Sequence, residues 1–133
     1  MVKSLPDSGK RSRNSYTAKD TEEIVRLVTS WTEAYNADDV PRQMGQLSQK
    51  HIIRQKWERE DEWVNNGLIR RFKKYFSKRG TASVNIVRIS FEDNGLAEAD
   101  IAVSFEKLPE ANPFQKMRFV TDDDGVWRVE TSF

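Results

Sequence analysis

The sequence contains no cysteine, so neither a disulfide nor a thiolate-ligated metal site can form. It contains a single histidine, His51, which argues against a zinc or iron site built on imidazole ligands. No apolar run approaches the ~20 residues of a membrane-spanning helix, and residues 1–20 lack the apolar core of a signal peptide. We therefore expect no metal, no cofactor and no membrane span.

The length of 133 residues suits one domain and is too short for two. The compartment stays undetermined: a complete chain of this kind is expected in the cytoplasm, and a domain cut from an exported protein in the periplasm. Residues 1–19 are rich in Ser, Lys and Arg and carry almost no apolar side chains. We predict that they form a disordered basic tail or linker ahead of a domain at residues 20–133.

Apolar residues recur at helical spacing through the first half of that domain. Asp20 followed by Glu23 predicts the start of a first helix, which the polar run 36–39 ends. Pro41 suits the first turn of a short second helix. A third helix is predicted from about Trp57 to Lys78, with residues 65–67 (NNG) as a candidate break.

After Gly80 the apolar period changes from that of a helix to that of a strand. Residues 93–95 (DNG) are typical of a hairpin turn, and residues 122–125 (DDDG) read as a second turn because they lack the ligand spacing of a calcium loop. Helices followed by an antiparallel meander of about four strands indicate an α+β fold. We expect three N-terminal helices packed on one face of that sheet.

Three motifs resemble those of nuclear-transport-factor-2-like domains. Residues 31–40 (WTEAYNADDV) are similar to the end of the first helix in that superfamily, and residues 124–129 (DGVWRV) resemble its last hairpin. Residues 116–119 (KMRF) occupy the place of the preceding strand. The resemblance covers residues 20–133 and is closest to the domain attached to L,D-transpeptidase-type cell-envelope proteins, with SnoaL-like domains as relatives. It implies a cone-shaped fold with a curved sheet.

The same superfamily contains isomerases, dehydratases and cyclases beside many non-catalytic binding modules, so the resemblance alone does not assign an activity. In the isomerases a carboxylate base follows the second helix. The matching position here falls near Arg54 or Gln55, neither of which can abstract a proton from carbon. His51 and Tyr35 are then the only plausible polar actors, and we assign no catalytic residue.

Our leading hypothesis is a non-catalytic accessory domain that binds a small ligand or a partner segment in the mouth of the cone. An enzyme of isomerase or cyclase type using the same cavity is the first alternative. The candidate pocket combines aromatic and polar residues of the first helix, the loop histidine and large apolar residues of the strands: Trp31, Tyr35, His51, Phe105, Met117, Phe119 and Trp127.

The second alternative is an anion-binding module on the third helix, where no acid interrupts the chain between Asn65 and Gly80. Its candidate residues are Arg70, Arg71, Lys73, Lys74 and Lys78. A solvated helix face is the preferred explanation of these cations, because they avoid the apolar stripe of the helix. A nucleic-acid surface interleaves exposed aromatics with its cations, and only Trp63 is placed to do so, so nucleic acid is not the expected partner.

The strand pattern also bears on assembly. Eight apolar residues are predicted to face the helices: Ala97, Ile101, Val103, Phe105, Met117, Phe119, Trp127 and Val129. The opposite sheet face then carries charges of both signs, which are depleted in the cores of protein interfaces. We therefore expect a monomer or a weak homodimer.

Overall fold

The computed structural model describes residues 11–59, 61–110 and 112–133. The helices are α1 (Ala18–Asn36), α2 (Val40–Gln46), α3 (Ile52–Glu58) and α4 (Glu62–Arg79), preceded by a short 3-10 helix at Arg13–Ser15. The strands are β1 (Ala82–Glu92), β2 (Leu96–Phe105), β3 (Phe114–Thr121) and β4 (Trp127–Thr131). The α+β prediction is confirmed. None of the helices in the described ranges is apolar enough over a sufficient length to span a membrane.

The four strands form one antiparallel sheet in the order β1-β2-β3-β4, the meander expected from the turns in the sequence. Asn94 and Gly95, both with positive φ, make the β1–β2 turn. Gly125, also with positive φ, lies in the β3–β4 turn. In the central strand Ile101 pairs with Ile86 on one side and Gln115 on the other.

The two faces of the sheet differ as the alternation predicts. All eight residues expected to face the helices are buried. The other face carries ion pairs: Lys116 contacts Glu98 and Asp100 at 2.9 and 2.8 Å, and Arg118 contacts Glu98 at 2.8 Å. The predicted charged outer face is thus confirmed. The expectation of a monomer or weak homodimer stays a prediction.

A β-bulge in β1 explains why its alternation is ambiguous in the sequence. The register shifts between Ile86 and Arg88, so that Val87 has no partner in the ladder. Ile86 before the bulge and Ile89 after it are therefore both directed inward, although they lie three residues apart. Val87 is exposed on the outer face, where it borders a shallow depression with Phe114.

The predicted third helix, from about Trp57 to Lys78, corresponds to α4, and the short helix α3 before it was not predicted. The expected count of three is therefore wrong for the part of the chain that the structure describes. The break lies between α3 and α4, where Asp61 accepts hydrogen bonds from the backbone N–H groups of Trp63 and Val64. Gly67 lies inside α4 and does not interrupt it. Trp63 is 86% exposed on this helix.

The first helix also starts earlier than predicted. Thr17 is its N-cap, and Asp20 takes the third helical position of the capping box that was assigned to Glu23. The Asp20 carboxylate accepts from the Thr17 backbone N–H at 2.8 Å and from both Arg11 guanidinium nitrogens at 3.0 and 3.1 Å. A capping box was correctly expected, but its register was shifted by three residues.

Residues 11–19 belong to the folded domain, which corrects the predicted boundary at residue 19. Tyr16 stacks on Phe91 with 4.7 Å between ring centroids, and the Asn94 backbone N–H donates to the Arg11 carbonyl at 2.7 Å. One aromatic ring and backbone groups at the β1–β2 turn are enough to hold this polar segment. The predicted disorder of residues 1–10 lies outside the described residues.

Replacing Tyr16 with phenylalanine is expected to lower the free energy of unfolding by about 1–2 kcal/mol. Its hydroxyl donates to the Glu92 carbonyl at 2.7 Å and accepts from the Gly95 backbone N–H at 2.9 Å, and both bonds are lost. Urea denaturation measures the change. Tyr75→Phe is the control, because no hydrogen bond of the Tyr75 hydroxyl occurs within the described residues. If the Tyr16 variant is as stable as the parent, residues 11–19 do not contribute to the folded domain through this hydroxyl.

Candidate functional site

A cavity of about 390 Å³ lies between the end of α1, α2, α3, α4 and the end of the chain after β4. This volume is within the range of ~300–1,000 Å³ that small-molecule sites usually occupy. Six aromatic residues line it: Trp31, Tyr35, Phe72, Tyr75, Phe76 and Phe133. The lining also includes polar residues: Asp38, Gln43, His51, Arg71, Arg79, Glu130, Thr131 and Ser132.

Tyr35 contacts three other aromatic rings at the cavity. Its ring meets those of Phe76 and Phe133 edge-on, each with 5.4 Å between centroids, and that of Phe105 at 6.1 Å. Its hydroxyl donates to the Gly80 carbonyl at 2.9 Å, so the polar end of the side chain holds the backbone where α4 ends. Burial raises the pKa of this hydroxyl, which keeps it protonated as the donor.

Gly80 sets the direction in which α4 leaves the cavity. It has a φ of +72°, and a Cβ at this position would lie 2.9 Å from Glu106 Cβ. Any other residue would therefore carry both a strained backbone and a steric overlap. The glycine lets the chain turn tightly into β1 and leaves Arg79, the last residue of α4, beside the cavity.

Trp31 lines the cavity, and the indole N–H of its side chain is buried. The side chain is 4% exposed, and its indole N–H has no hydrogen-bond partner within the described residues. The hydroxyl of Ser132, also on the lining, is buried and without a partner in the same range. Buried polar groups in native proteins are nearly always hydrogen-bonded, so the Trp31 indole and the Ser132 hydroxyl can each bond a water molecule or a polar group of a ligand in the cavity.

His51 borders the cavity in a structural role. It is the N-cap of α3, and its Nδ1 accepts the backbone N–H of Ile53 at 3.1 Å. This bond fixes Nδ1 as an acceptor, so a proton on the neutral ring resides on Nε2. The hydrogen bond that orients the imidazole is therefore a helix cap and not a bond to a carboxylate.

Both acidic residues of the lining are already paired. Asp38, which has a φ of +53°, contacts Lys73 of α4 at 2.8 Å. Glu130 contacts Arg118 of β3 at 3.5 Å.

The predicted pocket is brought together only in part. Trp31, Tyr35 and His51 line the cavity, and Phe105 lies behind Tyr35 without lining it. Met117 and Phe119 are completely buried under the sheet and do not reach it. The predicted pocket included too many strand residues, because alternation along a strand identifies which side chains face inward but not which of them line a cavity.

Trp127 is also absent from this cavity. It contacts Asp20 near the start of α1, whereas the cavity lies near Tyr35 at the end of that helix. Fifteen residues of helix separate those two positions, a distance of roughly 22 Å. Trp127 therefore belongs to a second aromatic group with Tyr16 and Phe91.

The predicted anion site is divided by the structure. All five of its cations are exposed, and only Arg71 lines the cavity. Lys73 pairs with Asp38, while Arg70, Lys74 and Lys78 have no ion-pair partner in the described residues. Five residues that line the cavity belong to neither predicted site: Phe72, Tyr75, Phe76, Arg79 and Phe133. The four-residue spacing of those on α4 could have indicated a shared helix side, and the position of Phe133 just after the last strand could have suggested that it lies nearby.

The described residues contain no group of three or more His, Asp or Glu side chains that could hold a metal ion. In comparisons with known proteins, no family model and no curated protein matches this sequence. The case for function therefore rests on the cavity and its lining.

Proposed function

We propose that this domain is a non-catalytic binding module that holds a small organic molecule in the cavity at the end of α1. The observation that carries the proposal is the combination of an aromatic wall with the unpartnered indole N–H of Trp31. Binding sites for small molecules are mainly apolar cavities in which a few polar groups fix orientation. A partner segment that inserts an aromatic side chain is the alternative occupant.

Two contacts support binding over catalysis. The side chains that an enzyme of isomerase or cyclase type would need here are Tyr35 and His51. The Tyr35 hydroxyl is engaged with the Gly80 carbonyl, and His51 Nδ1 with the Ile53 backbone N–H. Both groups are thus used to hold the walls of the cavity.

We also propose that the chain is a nuclear-transport-factor-2-like domain. Helices that precede an antiparallel meander, with a cavity between the helices and one end of the sheet, are compatible with that fold. Three residues of the motif at residues 31–40 line the cavity: Trp31 and Tyr35 at the end of α1, and Asp38 just beyond it. An accessory role in a cell-envelope protein remains part of this proposal.

Filling the cavity tests the binding function. N-phenyl-1-naphthylamine, an uncharged fluorescent probe, is expected to bind with a Kd on the order of 0.1 mM or tighter. Ile53→Trp places a large ring on the cavity lining and is expected to weaken binding at least about tenfold. Ile52→Trp is the matched control, because its neighbour Ile52 is 63% exposed and does not line the cavity.

Fluorescence titration with all three proteins gives a clear decision. Retained binding in the Ile52 variant and loss in the Ile53 variant supports the proposal. Equal binding by both variants would place the probe elsewhere and remove the basis for a cavity ligand. Thermal melts monitored by circular dichroism establish that both variants fold.

A further inference from the structure

Helix α4 presents a line of alternating charge and aromatic surface to the cavity. Arg71, Tyr75 and Arg79 are spaced four residues apart, so they follow one another along the same side of the helix. Phe72 and Phe76 form the adjoining row, and all five residues line the cavity. The helix therefore contributes both aromatic rings and two arginines to the lining of the cavity.

The two arginines are the uncompensated charges of the cavity. Asp38 and Glu130, the acidic residues of the lining, pair with Lys73 and Arg118. Within the described residues neither Arg71 nor Arg79 forms an ion pair with a carboxylate. The lining of the cavity thus carries two cations that no carboxylate of the described residues neutralises.

Arg79 is held in a position suited to an anion. Its guanidinium lies 5.1 Å from the ring centroid of Tyr75 and 5.0 Å from that of Phe105, and the side chain is half-buried. Stacking on aromatic faces orients the planar group, which also hydrogen-bonds the Tyr35 side chain. A guanidinium has five N–H donors, so others remain for a ligand. Bonds between such donors and an anion are stronger away from bulk water.

We propose that the ligand of this cavity is a small organic anion: a flat apolar body with a carboxylate or a similar acidic group. Arg79 binds the acidic group, Arg71 adds positive charge to the lining two helical turns away, and the aromatic wall of Trp31, Phe72 and Phe76 contacts the body. The inference rests on the proposed function, since it presumes that the cavity is a binding site. It adds the charge of the ligand and the two residues that recognise it.

A matched pair of probes tests the inference. 8-Anilino-1-naphthalenesulfonate has the same two ring systems as N-phenyl-1-naphthylamine and adds one sulfonate. In fluorescence titrations at 0.15 M salt, the anionic probe is expected to bind the parent protein about tenfold more tightly. Arg71→Gln combined with Arg79→Gln is expected to abolish that preference and to change the affinity for the neutral probe by less than about twofold.

The neighbouring cations provide the control. Arg70→Gln combined with Lys78→Gln removes the same net charge from the same helix, but neither residue lines the cavity. This variant is expected to keep the preference for the anionic probe. The single variant Arg71→Gln, at an exposed position, is expected to lose part of the preference and to report on recognition even if Arg79→Gln loosens α4.

The possible results separate this inference from the proposed function. If neither probe binds, or if Ile53→Trp binds both as the parent does, the cavity is not the site and both proposals fail. If both probes bind equally and Ile53→Trp blocks both, the cavity binds ligands without regard to charge, and only the inference is overturned. If both double variants lose the preference for the anionic probe equally, that preference comes from the overall positive charge of α4 and not from Arg71 and Arg79, and the inference is again overturned.

Discussion

Replacing Asp122 with alanine is expected to lower the free energy of unfolding by roughly 3–5 kcal/mol. This carboxylate is 1% exposed and accepts from Ser48 Oγ at 2.6 Å, the Gln49 backbone N–H at 2.9 Å and Arg128 Nη1 at 2.8 Å. It therefore connects the segment after α2 to the turn between β3 and β4. Its loss leaves buried donors without an acceptor, and urea denaturation at pH 7 measures the effect.

The adjacent residue gives the control for Asp122. Asp123 lies in the same turn and pairs with Lys50 at 3.0 Å, but its side chain is 79% exposed. Asp123→Ala is expected to change the free energy of unfolding by less than about 0.5 kcal/mol. If Asp122→Ala lowers the free energy of unfolding as little as Asp123→Ala does, the turn tolerates the loss of either carboxylate and the Asp122 contacts contribute little.

The pH dependence of the Asp122 effect follows from the same contacts. Burial alone would raise the pKa of Asp122, but the hydrogen bonds from Gln49, Ser48 and Arg128 outweigh it and lower the pKa. The stabilisation is therefore fully present above the unfolded-state pKa of ~3.9 and is lost as the pH falls through the folded-state value. Asp122→Asn should accordingly approach the parent in stability as the pH falls below about 4.

The sheet could be predicted from the sequence because its side chains alternate on a single periodic surface. From Ala97 to Phe105 each inward position is apolar, and burial of one face fixes the register. The bulge at Val87 was not predictable from that alternation. An extra residue in a ladder leaves a pattern that two different registers fit equally well.

The helices and the site were less predictable, because local signals do not specify which surfaces meet. Asp61 was counted among the acids of one long helix, whereas it caps α4 and separates it from α3. Arg79 lies in the acid-free stretch between Asn65 and Gly80, but its position beside the cavity depends on the turn at Gly80. Trp31 and Tyr35 were found because the resemblance placed them at the end of the first helix, and His51 because it is the single histidine of the sequence.

Replacing Trp127 with alanine is expected to lower the free energy of unfolding by about 3–5 kcal/mol, the range for emptying a large buried site. The side chain is 4% exposed and contacts the rings of Tyr16 and Phe91, each with 5.9 Å between centroids. Its indole N–H donates to Asp20 Oδ1 at 3.0 Å. The substitution therefore removes the residue that joins the N-terminal segment, α1 and the sheet.

Two further substitutions separate the ring from its hydrogen bond. Trp127→Phe keeps most of the aromatic contact but leaves Asp20 without the indole donor, so an intermediate loss of about 1–3 kcal/mol is expected. Val126→Ala is the control, since Val126 is the preceding residue and is 43% exposed. Urea denaturation followed by far-UV circular dichroism should rank Trp127→Ala below Trp127→Phe and Val126→Ala near the parent. If Trp127→Ala instead unfolds at the parent's midpoint, β4 presents its opposite face to the helices, because only an exposed tryptophan can be removed without such a loss.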